Sequence, residues 1–333
     1  MACPPSQIPD FINGKMPPAK PAKLPLFSRM PPAIFPSLFG GLGVMLGWRK
    51  GVGMFALPAG FAEMFAGAMA ILAVFALVAY GMKLWRRPGV VLEELTILPG
   101  RTGLAAMVLV TYLLSIILQP YTAAAIGLMY LGLALHVALI ALLIRQFVWG
   151  AKEQARVTPA WQLSFTGPIV GALAALNFGL PGLAVVLFWP ALISALLIWG
   201  ISIDQFRRAS VPAPLRPLLV IHLAPAALLG QVALGLGYTT MAMVFAVVSV
   251  LLLATFIAAV RWLTVDGFSA FWSAFTFPVA ATATFWIGFG GVWAMPGALL
   301  LIAATLITFP ILFRLLKMWA KGQLAAKSNA ATA

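Results

Sequence analysis

The sequence has few charged residues. Of its 333 residues, only 8% are Asp, Glu, Lys or Arg, whereas 63% are hydrophobic. About a quarter of the residues in a typical soluble domain are charged, because the surface of such a domain must interact favourably with water. The shortage of charge therefore excludes an ordinary water-soluble fold and predicts an integral membrane protein.

Cysteine and the common catalytic motifs are also scarce. Cys3 is the single cysteine, which excludes an intramolecular disulfide and a cysteine-based metal cluster. The sequence contains no nucleophile–base pair, no HExxH or CxxC spacing and no phosphate-binding loop. The glycines around Gly40 follow no predicted strand, so they do not form a dinucleotide-binding motif. We therefore expect no enzymatic activity, no catalytic residue, no metal and no cofactor.

Apolar segments long enough to cross a membrane recur along the chain. A transmembrane helix needs about 20 predominantly apolar residues. Several segments, such as residues 240–263, have no polar face, which is typical of helices surrounded by lipid or by other helices. We predict ten spans, near residues 33–48, 57–84, 102–118, 122–145, 159–177, 182–203, 212–235, 240–263, 268–287 and 294–318.

The basic residues predict the orientation of these spans. Of the 21 Lys and Arg residues, 19 fall in the two tails or in the loops after even-numbered spans, and only Arg49 and Lys50 fall on the other side. Positive loops remain in the cytoplasm, so we predict cytoplasmic termini in the plasma (inner) membrane. The opposite loops, such as 178–181 and 236–239, are short, which pairs the spans as five hairpins. The net charge of +14 is assigned to contacts with membrane lipid and not to nucleic acid.

The amino-terminal tail differs from the rest of the chain. Ten of the first 36 residues are proline, with four basic residues among them. Proline lacks an amide donor and resists helix formation, so this segment is predicted to be extended or disordered. We predict a basic, proline-rich cytoplasmic tail over residues 1–30, a ten-helix transmembrane domain over residues 31–320 and a short cytoplasmic tail over residues 321–333.

Helix breakers and small polar residues concentrate in the odd-numbered spans. A proline within a span frees a backbone carbonyl, which must find a partner in protein or water because lipid offers none. Odd spans are therefore predicted to form the inside of the bundle and even spans its lipid face, although Pro190 and Pro310 fall in even spans. The candidate pore-lining or kink residues are Pro36, Gly40, Pro168, Pro225, Thr276 and Pro278.

Three ionisable residues fall within predicted spans: Glu63, His136 and His222. Such residues inside a membrane are functional candidates. Glu63 lies near the outer end of its span and is interpreted as reaching the interface. His136 is interpreted as a hydrogen-bonded packing residue. His222 lies three residues before Pro225, and we keep both a packing role, which is favoured, and a polar pore role.

Four short motifs carry a resemblance to a known family. In chain order they are Phe35-Pro36 followed by Gly40 and Gly43, Thr158-Pro159-Ala160-Trp161 leading to Gly167-Pro168-Ile169-Val170, Leu215-Arg216-Pro217 followed by His222-Leu223-Ala224-Pro225, and Trp272-Ser273-Ala274-Phe275-Thr276-Phe277-Pro278. With these motifs in this order, residues 30–320 resemble the tellurite-resistance and slow-type anion channel family, which also includes C4-dicarboxylate and sulfite transporters.

The resemblance implies ten transmembrane helices, arranged as five helical hairpins with quasi-fivefold symmetry around a central pore. It also implies a homotrimer in which every protomer has its own pore, plugged by a phenylalanine of the ninth span. By its place in the motif that residue is Phe277; the alternative is that Phe277 is an ordinary core aromatic. The family commonly has two adjacent prolines in the seventh span, whereas here Ala226 follows Pro225.

Three functions are compared on this basis. The favoured one is a gated channel that passes small anions. The first alternative is a proton-coupled C4-dicarboxylate or sulfite transporter, with His222 or Glu63 in the proton relay. The second is a polytopic membrane enzyme or scaffold, which is disfavoured because the loops are short and poor in His, Asp and Glu.

Overall fold

The computed structural model describes residues 25–333, and these form an all-helical membrane bundle, as predicted. Residues 1–24, most of the predicted proline-rich tail, lie outside the described residues. The helices are α1 Phe35–Gly51, α2 Ala59–Arg86, α3 Val90–Thr96, α4 Leu98–Leu118, α5 Ala125–Trp149, α6 Pro168–Asn177, α7 Pro181–Arg208, α8 Leu223–Gly235, α9 Thr239–Ala258, α10 Val260–Leu263, α11 Thr276–Phe289, α12 Ala294–Ala320 and α13 Gln323–Lys327.

Two kinds of segment correspond to the ten predicted spans. Within residues 25–333, eight helical segments are long and apolar enough to cross a membrane. The other two predicted spans are shorter: α1 has 17 residues, and the fifth span is a π-helical turn, Gln162–Thr166, followed by the ten-residue α6. The seventh and ninth spans likewise begin as 3-10 helices, Ala213–His222 and Ala270–Phe275, before α8 and α11.

Burial separates odd spans from even spans. In the most apolar stretch of α4, 83% of the residues are buried, against 33% in α2 and 22% in α9. The outer helices bury one stripe of small residues, for example Ala66 and Ala73 of α2, while Ile71 on the opposite face is 74% exposed. This pattern is that of a helix with one side on protein, and it agrees with the predicted division into inner and lipid-facing spans.

The inner helices pack in a closed series. Helix α1 contacts α4, α4 contacts α6, α6 contacts α8, α8 contacts α11, and α11 returns to α1. Each inner helix also packs on the helix that follows it as its outer partner: α1 on α2, α4 on α5, α6 on α7, α8 on α9, and α11 on α12. We call the five inner helices the ring helices.

The first described residues and the carboxy-terminal residues meet at one end of the bundle. The Lys83 ammonium at the end of α2 donates to the Met30 carbonyl at 2.8 Å and pairs with the buried Glu94 carboxylate of α3. The Ala333 amide donates to the Ser28 carbonyl at 3.0 Å. Because most basic residues lie at or after the ends of the outer helices, this end carries most of the positive charge, and we call it the basic end.

Candidate pore and constriction

Every ring helix begins with a proline among its first three residues. Proline fits the first turn of a helix because its missing amide would have no partner there. The structure therefore places these prolines at helix starts; for all of them except Pro99, the sequence predicted a pore-lining position or a kink within a longer span. The five are Pro36 of α1, Pro99 of α4, Pro168 of α6, Pro225 of α8 and Pro278 of α11.

Three of these starts lie part-way along their spans. Helix α8 begins at Leu223 after the ten-residue 3-10 helix Ala213–His222, and α11 begins at Thr276 after the shorter one, Ala270–Phe275. Helix α6 begins after the π-helical turn Gln162–Thr166. The first amides of a helix are unpaired within it and give that end a partial positive charge. The first amides of α8 and α11, those of Leu223 and Thr276, donate to carbonyls of the preceding 3-10 segments, so any attraction for an anion at these two starts comes from the helix dipoles and not from those amides.

Two aromatic rings stack where α1 meets α11. Phe39 and Phe277 have ring centroids 3.6 Å apart and an angle of 21° between their planes. Only 2% of Phe39 and 5% of Phe277 is exposed. Both rings belong to ring helices, so the pair lies where two neighbouring ring helices meet.

The stacked rings border two cavities. The first has a volume of about 20 Å3 and extends past Pro36, Thr102 and Ser273. The second, also of about 20 Å3, extends past Leu109, Gln162 and Leu228. All five inner spans contribute to both cavities. The residues shared by the two cavities, which we call the constriction, are Phe39, Leu163, Ile221, Ala224 and Phe277.

Glycines in α1 make room for α11 beside the constriction. A Cβ atom on Gly40 would lie 2.0 Å from Thr276 Oγ1, and one on Gly43 would lie 2.8 Å from Phe277 Cδ2. The Thr276 hydroxyl donates to the Ser273 carbonyl at 2.7 Å. Because no side chain fits between the two helices here, the backbone of α1 sets the position of the Phe277 ring.

Comparison with known families decides what kind of bundle this is. The family described as voltage-dependent anion channels matches residues 29–317. The chain belongs to the voltage-dependent anion channel family. The predicted resemblance is therefore confirmed, and the protein is a multi-pass membrane protein of a family of anion channels and transporters. No curated protein matches the chain.

Most of the residues selected from the sequence lie at or near the two cavities. Pro36 and Pro278 line the first cavity, Pro225 lines the second, and Phe277 lines both. Gly40 and Thr276 lie behind Phe277, at the close contact between α1 and α11. Pro168 starts α6 but does not line either cavity. The selected residues therefore gather around one point, except Pro168 and His222.

His222 lies behind the wall of the second cavity in this channel-family fold. Its Nδ1 atom is 3.4 Å from the side-chain nitrogen Nε2 of Gln162. The side-chain oxygen Oε1 of Gln162 accepts a hydrogen bond from the Thr166 hydroxyl at 2.6 Å. His222 itself does not line the cavity, whereas Gln162 and Thr166 do. The polar groups that face the second cavity are thus those of the π-helical turn, with His222 as their neighbour.

The other two ionisable candidates have partners away from the cavities. His136 Nε2 bonds the Ser164 carbonyl at 2.8 Å, which matches the packing role expected for it. The Glu63 carboxylate accepts from Arg49 and from the Tyr121 hydroxyl, both at 2.6 Å. Within residues 25–333, no group of three or more His, Cys, Asp or Glu side chains could hold a metal ion.

Sequence reasoning missed Phe39 and Gln162. Phe39 is one of 23 phenylalanines, and its stacking partner lies far along the chain, so no local signal distinguishes it. For Gln162 a signal existed: it is a large polar side chain in a predicted span, four residues before a threonine. The hydrogen bond between Thr166 and Gln162 spans that spacing of four residues, which places two helical side chains on one face.

Proposed function

We propose that the protein is a gated channel for small anions, with its pore along the axis of the ring helices. The observation that carries the proposal is the position of Phe277, stacked on Phe39 between two cavities to which all five inner spans contribute. The closed contacts among the ring helices support the quasi-fivefold arrangement of five hairpins. In this proposal, Phe277 is the gate.

Physical chemistry explains how such a constriction would close a pore. The side chains of Phe39, Leu163, Ile221, Ala224 and Phe277 offer an ion no polar atom, and a narrow apolar passage excludes water and therefore ions. A stacked aromatic pair contributes only about 0.5–1.5 kcal/mol beyond its buried area. Movement of one ring could thus open the passage without breaking the ring of helices.

Helix ends and the basic end account for the preference for anions. The starts of α6, α8 and α11 place partial positive charge inside the bundle, and 19 of the 21 basic residues belong to the basic end or the tail before it. Neither cavity is lined by a lysine or an arginine, so an anion would bind weakly. Weak sites suit conduction, because an ion must leave as readily as it enters.

Membrane orientation and assembly complete the proposal. The basic end faces the cytoplasm by the positive-inside rule, which puts both described chain ends on the cytoplasmic side of the plasma membrane. Each protomer of a homotrimer carries its own pore. Membrane lipid and small anions are the partners. A single orientation is supported by the charge bias itself, since Arg49 and Lys50, at the far end of α1, are its exceptions.

The deciding experiment compares Phe277→Ala with the unaltered protein in a reconstituted bilayer. We expect the anion current to rise about tenfold or more, since a barrier lowered by about 1.4 kcal/mol gives a tenfold rate. Phe245→Ala is the matched control, because Phe245 is also buried but belongs to the outer helix α9. An unchanged current from correctly folded Phe277→Ala protein would contradict the gate.

Ion substitution in the same bilayer separates the channel from the alternative transporter. A channel gives a reversal potential that follows the anion gradient alone. A proton-coupled dicarboxylate or sulfite transporter shifts its reversal potential with an imposed pH gradient and accumulates substrate against a concentration gradient. The paired state of Glu63 with Arg49 favours the channel, because a carboxylate held by arginine is a poor proton carrier.

A further inference from the structure

Another pocket, separate from the two cavities at the constriction, opens at the basic end. It has a volume of about 160 Å3 and lies between the end of α7, the start of α4 and the segments that lead into α6 and α8. We call it the rim pocket. Its polar lining includes Arg156, Thr158, Ser202 and Gln205, and most of the remaining lining is apolar. We infer that the rim pocket binds an anionic phospholipid from the leaflet at the basic end.

Two unpaired hydroxyl groups indicate that the rim pocket holds a polar ligand. Hydroxyls on helices of this fold commonly donate to the carbonyl three or four residues earlier, as Ser249 does to Ala246 at 2.7 Å and Thr255 to Leu251 at 2.8 Å. Among the described residues, Thr158, Ser202 and Thr308 have buried hydroxyl oxygens without a hydrogen-bond partner, and the first two of these residues line the rim pocket. A buried hydroxyl without a hydrogen-bond partner destabilises the fold, so a ligand that bonds to both hydroxyls would be bound more tightly.

Charge and apolar lining together identify the class of ligand. Arg156 lies at the exposed side of the pocket, where an arginine is suited to bind a phosphate group. Phe206 and Leu215 provide an apolar wall of the kind that an acyl chain covers. A free phosphate would leave this wall exposed to water, and a neutral lipid would leave Arg156 without an anion. An anionic phospholipid satisfies both parts of the pocket.

The rim pocket shares a wall with the pore. Leu218, in the 3-10 helix Ala213–His222, lines both the rim pocket and the first cavity beside the constriction. A lipid in the rim pocket therefore contacts the back of a segment whose front faces the pore. We expect occupancy to change the anion current, but lipid binding itself can be measured whether or not the proposed gate is correct.

The test measures binding of fluorescent phosphatidylglycerol to the purified full chain in vesicles of phosphatidylcholine. We expect Arg156→Gln to weaken binding about tenfold, as removal of a charged hydrogen-bond partner does, and the Thr158→Val/Ser202→Ala double variant to weaken it several-fold. The controls are Arg261→Gln, a basic-end arginine outside the rim pocket, and Thr255→Val, which removes a paired hydroxyl. Both controls are expected to bind as the unaltered protein does.

Two outcomes would overturn the inference. The first is that the rim-pocket variants bind phosphatidylglycerol as tightly as the two controls. The second is that soluble inorganic phosphate or glycerol phosphate displaces the labelled lipid at equal concentration, which would assign the site to a free anion. To separate loss of binding from loss of folding, the thermal unfolding temperature of each variant is measured in the same vesicles. A conservative Arg156→Lys variant should recover part of the affinity.

Discussion

The ring helices and the outer helices differ in how they begin and in what surrounds them. Outer helices α2, α7 and α12 continue for 27 or 28 residues, whereas ring helices α6, α8 and α11 have 10, 13 and 14 residues and follow a π or 3-10 segment. Both sets are strongly apolar. An interrupted helix leaves backbone groups unpaired, and these are tolerated only where protein or a cavity surrounds them. The interruption of a span therefore distinguishes a ring helix from an outer helix better than its hydrophobicity does.

Prolines show the same contrast at single positions. Pro225 occupies the third residue of α8, where no amide is needed. Pro190 and Pro310 lie in the interior of α7 and α12, where a proline removes one hydrogen bond of the helix. The outer helices thus tolerate prolines as local irregularities, while the ring helices use them to set the point at which α-helix begins.

The largest effect is expected when a glycine of a ring helix and a glycine of an outer helix are each replaced by alanine. Gly40→Ala should destabilise the protein by about 1–3 kcal/mol, because its new methyl group would overlap Thr276 and force a shift of packed helices. Gly67→Ala, on the outer helix α2, meets nothing within 4 Å and should be neutral or stabilising by up to about 1 kcal/mol. Thermal unfolding in detergent measures both; equal shifts for the two variants would break the comparison.

The next largest effect is expected when a phenylalanine of a ring helix and a phenylalanine of an outer helix are each replaced by alanine. Phe39→Ala removes the ring that stacks on Phe277, so we expect the anion current to rise by up to about tenfold, as loss of about 0.5–1.5 kcal/mol of aromatic contact allows. Phe313 belongs to the outer helix α12, and 71% of this residue is exposed, so Phe313→Ala should leave the current unchanged. If both variants conduct alike in a bilayer, Phe39 has no part in the constriction.

The smallest effect is expected when a proline of a ring helix and a proline of an outer helix are each replaced by alanine. Pro225→Ala should destabilise the protein by about 0.4–1 kcal/mol, because the unfolded chain gains conformational freedom. Pro190→Ala should have the opposite sign, since it returns an amide to the interior of α7. Unfolding temperatures of the two variants, measured side by side, would sharpen the comparison if they move in opposite directions and weaken it if they move together.

Much of the fold could be predicted from local features of the sequence. The predicted span 57–84 corresponds to α2 at residues 59–86, and the predicted span 294–318 corresponds to α12 at residues 294–320. These agreements arise because the length of an apolar segment is a local property. The fifth, seventh and ninth spans were located equally well. Their division into a π or 3-10 segment and a later α-helix was not predicted, because a proline within an apolar segment is equally compatible with a kink in one continuous helix.

The candidate site could be predicted only in part. The sequence selected Phe277, Gly40 and Thr276, and the structure brings these three residues together where α1 meets α11. Nothing local identified Phe39, because stacking on Phe277 depends on the approach of α1 to α11. The unpaired hydroxyls of Thr158 and Ser202 were equally hidden, because whether a hydroxyl has a partner depends on its neighbours in space.

The sequence by itself determined that this protein lies in a membrane, where its helices run and which end carries the positive charge. Those properties follow from composition and from the spacing of apolar, basic and helix-breaking residues along short segments. Only the tertiary structure decided which side chains meet at the constriction and which polar groups line the rim pocket. Both depend on contacts between residues far apart in the chain, and such contacts exist only once the helices have packed.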